Sequence, residues 1–231
     1  MLKPRIELIV ALLCALILIW LPLVSAPLKY FETLLHEGSH GLAAILSGGQ
    51  VVSIALHLDG SGLATSRGGW SWLVTFSGYA GASLWAYTLA RIQFSGVSRR
   101  IGSWIYFAIV GLFVLGSLIY TRDPITLLIV GFIGVTYWCL FRWRHQHWAT
   151  FANQVLALFI LLQSAISPSY LLYVGDRGDH LAMKGYTGIP GIVWVVLWTL
   201  IAGLMIFDLC RRAWAQPRMA SDALRAETSG L

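Results

Sequence analysis

The sequence predicts an all-α polytopic membrane protein, with about six to seven transmembrane helices and a short β-hairpin after the second of them. Three observations carry this. The 231-residue chain is 58% apolar and only 11% charged, whereas an ordinary globular domain is about a quarter charged. Its apolar residues fall in long blocks of the length a bilayer core demands. One stretch, Gln50 to Gly69, breaks that pattern with a two-residue alternation. The net charge of +6 sits in short basic clusters between the blocks: Arg99-Arg100, Arg142-x-Arg144 and Arg211-Arg212. Such clusters suit loops on an anionic bilayer surface and argue against nucleic acid as a partner. Cys14, Cys139 and Cys210 lie far apart, within or at the end of apolar blocks, and read as buried reduced thiols.

The blocks follow in order. Lys3 and Arg5 precede an apolar run from Ile6 to Val24. It is long for a signal peptide, and Pro27 would hinder cleavage after Ala26, so it reads as an uncleaved first span. A second helix runs from about Tyr30 to Ser47 and ends at Gly48-Gly49. Val52, Ile54, Leu56 and Leu58 then alternate with polar or small residues. Asp59-Gly60-Ser61-Gly62 is a turn, and Leu63 to Arg67 returns as a second strand. Trp70 to Ala90 is the next span, where Ser77-Gly78-Tyr79-Ala80-Gly81-Ala82 places small residues one turn apart for close helix packing. Ser103 to Tyr120, Pro124 to Phe141, Thr150 to Ser167 and Pro190 to Phe207 complete the apolar blocks. Residues 1–210 thus form one transmembrane domain, and 211–231 a polar tail too short to fold alone. Tryptophans near block ends, among them Trp20, Trp70, Trp104 and Trp143, suit an interfacial belt. Over seven full spans, the basic residues favour a cytoplasmic C-terminus, while Lys3 and Arg5 favour a cytoplasmic N-terminus as well. A motif segment that enters without fully crossing removes that conflict.

The chemistry concentrates in His36-Glu37-Gly38-Ser39-His40. Histidines four apart on a helix point the same way, so both imidazoles reach one metal ion. Glu37, directly after the first, is placed to take a proton from water held at the metal. Glu32 falls on the same face. Ionisable groups at membrane depth are costly and should face the bundle interior. Catalytic zinc takes three protein ligands, so one more is needed. Glu32, His57, Asp59, His145, His147 and Asp208 each have a plainer reading as an edge, exposed or helix-end charge. Asp176, Asp179 and His180 cluster just before the last block. Physical argument alone does not choose among these.

The chain resembles the site-2-protease type of intramembrane zinc metallopeptidase, in particular its small bacterial branch. The resemblance rests on His36-Glu37-Gly38-Ser39-His40, Gly48-Gly49, the Asp59-Gly60-Ser61-Gly62 turn, and Gly178-Asp179 followed by Thr187-Gly188-Ile189-Pro190 and Val193-Trp194. It implies that His36, His40 and Asp179 hold Zn2+ and that Glu37 is the general base, with Asp176 as the fallback ligand. Better-known members carry this aspartate in an Asp-Gly pair within an apolar helix, whereas here Asp179-His180 lies in a polar stretch. The resemblance further implies a bacterial inner-membrane protein that hydrolyses membrane proteins or peptides as substrates. Two other classes stand beside this reading. One is a non-proteolytic metal-binding or scaffold relative of the same fold. The other is a transporter, which the lack of an evident inverted repeat disfavours.

Overall fold

The computed structural model describes residues 4–94, 99–173 and 177–229. Among them the elements run α1 (Pro4–Ile19), α2 (Pro22–Leu46), β1 (Gln50–Leu56), β2 (Gly62–Arg67), α3 (Ser71–Phe94), α4 (Arg99–Tyr120), α5 (Pro124–Arg142), α6 (His147–Tyr170), α7 (Asp179–Thr187) and α8 (Gly191–Ser229).

The first break differs from the sequence expectation. The helix expected to reach Val24 stops at Ile19, and the motif helix begins at Pro22 rather than Tyr30. Proline has no N–H and its ring crowds the carbonyl four residues back, so Pro22 favours the start of a helix over the middle of one. Leu21 is accordingly non-helical, with φ −104° and ψ 88°. Pro27 lies inside α2 near its beginning, where it removes one hydrogen bond without ending the helix. α1 and α2 meet at 108°.

Among the described residues, four helical stretches are long and apolar enough to cross a membrane, Ile101–Tyr120, Pro124–Arg142, His147–Tyr170 and Gly191–Ala215, or five if the bent α1–α2 pair counts as one span. Only 28% of the α4 and α5 windows and 22% of the α8 window is buried, against 67% for α6. α6 is therefore the inner post of the bundle, and the other three turn a face outward. Leu112, Leu115, Leu128, Val135, Leu200 and Leu204 are exposed on those faces, as expected where the surroundings are lipid. α3, which reads as a span over Trp70–Ala90, falls outside the apolar set. It packs against α2, α6 and α8, and Ser77, Gly78, Gly81 and Ser83 line it with small groups. A helix enclosed by helices need not be as apolar as one bathed in lipid.

β1 and β2 pair antiparallel, with a register shift between Val51 and Ser53. This bulge corrects the alternation expected from the sequence. Val51, Ile54 and Leu56 point inward, while Val52 and Leu58 are exposed. One extra residue in a strand moves the side chains before it to the other face. The hairpin is pinned at several points. Leu56 N–H donates to Thr126 Oγ1 at the start of α5 (2.8 Å), Tyr30 Oη donates to Leu58 O (2.9 Å), and Thr33 Oγ1 donates to Gly60 O (2.6 Å). In the turn, the Ser61 N–H and hydroxyl both donate to Asp59 and hold its carboxyl below the usual range.

α2 and α3 approach closely at their small residues. A Cβ added at Gly81 would lie 2.5 Å from Ser39 Cβ, whereas one at Gly111 meets nothing within 4 Å. Gly81→Leu is therefore expected to lower the melting temperature in detergent clearly, and Gly111→Leu to leave it nearly unchanged. Thermal unfolding of both variants checks this.

Candidate metal centre

α2 places His36 and His40 one turn apart, facing α3. His40 Nδ1 lies 2.6 Å from the carbonyl oxygen of Val74. A carbonyl only accepts, so Nδ1 carries the proton and Nε2 presents its lone pair to the other side. There it lies 3.1 Å from His36 Nε2. The His36 ring rests edge-on against Tyr79, with centroids 4.3 Å apart.

The third member comes from far along the chain. Asp179 Oδ2 lies 3.2 Å from His36 Nε2 and 3.4 Å from His40 Nε2. Asp179 is the first residue of α7, a helix where the sequence suggested a polar loop. α7 is short and only weakly apolar, so no hydrophobic periodicity announced it. Its ends are nevertheless marked: Gly178 precedes it at φ 121°, and Gly188 closes it at φ 73° with its N–H on Lys184 O. Met183 anchors α7 in a small apolar cluster with Leu171, Val195 and Trp198. Trp198 in turn donates Nε1–H to Phe76 O on α3 (3.1 Å). The carboxylate is thus held by packing between the end of α6 and the start of α8.

The three ligand atoms lie within 4.8 Å of one another, as a group able to hold a metal ion. Two imidazole nitrogens and one carboxylate oxygen match the donor set of hydrolytic zinc sites and leave a coordination position for water or substrate. Residues and group therefore fit. Glu37 is buried beside this cluster and accepts the Ala64 N–H of β2 at Oε2 (2.6 Å). Gly62 lies so close that an added Cβ would stand 2.6 Å from Glu37 Cγ.

The remaining sequence candidates separate clearly. His57, His145 and His147 are exposed. Asp208 pairs with Arg211 and Arg212 and accepts from Tyr87 Oη. His180 is buried against Gly191 and is not a member of the ligand group. Asp176 lies outside the described residues. Glu32 is not the edge charge its nearness to Lys29 suggested. It is buried one turn before His36, with Oε1 lacking a hydrogen-bond partner among the described residues.

Sequence reasoning took the small residues of α3 as packing only. Gly78 is more than that, since a Cβ there would stand 2.5 Å from His40 Nε2 and 2.7 Å from His36 Cε1. Its hydrogen marks the floor on which both imidazoles lie. The signal was a glycine in a small-residue run, but nothing in the run says which helix face it meets.

A family model described as Peptidase M50B-like matches residues 9–208. No curated protein and no solved structure matches the chain.

Gly78→Ala is expected to displace both imidazoles and sharply reduce bound metal, while Gly131→Ala, which faces open space, keeps it. Metal analysis of the purified variants checks this.

Proposed function

Because the chain belongs to the Peptidase M50B-like family, we propose that this integral membrane protein is an intramembrane zinc metalloprotease that cleaves membrane proteins or peptides. The observation that carries this reading is the approach of Asp179 to His36 and His40 within 3.4 Å, with Glu37 alongside. The chain's M50-type family is generally zinc-dependent, and His36, His40 and Asp179 are the residues that would hold the ion. Zinc bound there supplies the positive charge that acidifies a water and polarises a peptide carbonyl.

The chain's own groups supply the rest. Glu37 takes the proton from the attacking water and passes it to the leaving amine. Ala64 N–H holds Oε2 in place and so orients the Glu37 carboxylate. The Val74 carbonyl keeps His40 in the tautomer that offers Nε2. A transmembrane substrate hides its peptide bonds in its own helix and must unwind to be cut. Ala64 donates away from β1, so the outer edge of β2 faces Glu37. An extended segment laid along that edge would gain backbone hydrogen bonds beside the general base.

In this reading the membrane domain spans residues 1–210 and sits in a bacterial inner membrane. α1 and α2 together make one crossing and α3 a second inside the bundle; with α4, α5, α6 and α8 that gives about six passages.

Glu37→Gln is expected to keep its zinc and lose activity by about 10²- to 10⁴-fold, the usual share of a general base. Asp179→Ala should lose the metal itself. A cleavage assay paired with zinc analysis reads both, and unchanged cleavage in Glu37→Gln would overturn the reading. Ser66→Pro lies two residues from Ala64 on the outer edge of β2, where proline costs no bond to β1. It is expected to raise KM with zinc content unchanged, as measured by substrate titration.

A further inference from the structure

Tyrosine hydroxyls inside a protein usually find a partner. Tyr30 donates to Leu58 O, Tyr87 donates to Asp208, and Tyr106 meets Tyr137. Tyr79 on α3 departs from this. Among the described residues its Oη has no hydrogen-bond partner, although the residue is half-buried and its ring is gripped on two sides. On one side the His36 imidazole meets it edge-on, with centroids 4.3 Å apart; on the other stands Trp198 of α8, at 5.0 Å. Trp198 is itself fixed by its hydrogen bond to Phe76 O. A ring packed in this way keeps its hydroxyl in one place.

That place is the metal centre. The hydroxyl lies in the field of three carboxylates, Asp179 most strongly, then Glu32 and Glu37. Two of them are already engaged, Asp179 with the two imidazoles and Glu37 with Ala64 N–H. Gly78 passes under the imidazoles, and the next residue, about 100° round the helix, turns its ring to the cluster of Met183 and Trp198 that seats α7. The result is a fixed phenol O–H, free to donate, beside the general base and the ligand group.

When water adds to a peptide carbonyl carbon, the C=O electron pair moves onto oxygen, which becomes negative. A donor already in place at that oxygen stabilises the charge as it develops. Glu37 handles the water's proton and leaves this oxygen without a donor from its own side chain. We propose that Tyr79 is a further catalytic residue, whose Oη–H donates a hydrogen bond to the carbonyl oxygen of the peptide bond being cut. This rests on the peptidase reading above. The phenol keeps its proton throughout. The C–O bond forms from water, the C–N bond breaks, and the proton passes from water to Glu37 and on to the amine.

Tyr79→Phe keeps the ring and its contacts with His36 and Trp198 and removes only the hydroxyl. With a quenched fluorogenic apolar peptide as substrate, kcat is expected to fall by about 10²- to 10³-fold, the usual share of one such donor, with KM and zinc content near wild type. A peptide phosphonate, whose tetrahedral oxygens imitate the charged carbonyl oxygen, is expected to bind more weakly by a similar factor, while the cleaved peptides bind as before. Unchanged kcat in Tyr79→Phe would overturn the role and leave the peptidase reading standing. So would loss of zinc in that variant, which would make the hydroxyl a support of the metal centre. A wild type that cleaves no peptide would instead remove the peptidase reading, and this role with it.

Discussion

The arrangement depends on one constraint: two imidazoles and a carboxylate from opposite ends of the chain share a pocket among apolar helices. Ionisable groups in such surroundings are costly unless they compensate one another or a cation. His36 and His40 come from α2, while Asp179 comes from a helix more than a hundred residues later. Drawing them together fixes how α2, α3, α7 and α8 pack. Gly78 lets α3 lie directly under the imidazoles, and the Val74 carbonyl turns one of them. The Met183–Trp198 cluster holds α7 against α8. Each of these features is needed only because the ligand group must close.

The hairpin obeys the same constraint from the other side. It is small, yet it is tied to α2 by Tyr30, Thr33 and Glu37 and to α5 by Thr126. A free two-stranded hairpin is marginal in isolation, so these ties give it its position. The result is a strand edge presented to a buried carboxylate. In the proposed function, that placement joins the question of how a peptide is held to the question of where it is cut.

Much of this was legible in the residues. The apolar blocks marked α4, α5, α6 and α8 because a lipid-facing helix must be apolar nearly throughout. The His36-Glu37-x-x-His40 spacing marked the α2 face, and the two-residue alternation marked the hairpin. What escaped was governed by contacts rather than by pattern. The β-bulge at Val51–Ser53 depends on which face the core takes. α7 is too polar and short for periodicity to reveal. The helix break at Pro22 competed with Pro27, and only the path of the chain decides which proline ends a helix. Physical argument left Asp179 among several equals, because the residue that completes a site far apart in sequence is chosen by the fold; the family resemblance singled it out.

The central claim is that one divalent ion is held by His36, His40 and Asp179. Zinc-edge X-ray absorption on the purified protein tests it most directly. The account predicts imidazole scattering with Zn–N near about 2.0–2.1 Å, an oxygen shell, and no sulfur. A spectrum dominated by sulfur, or one without the imidazole signature, would contradict it.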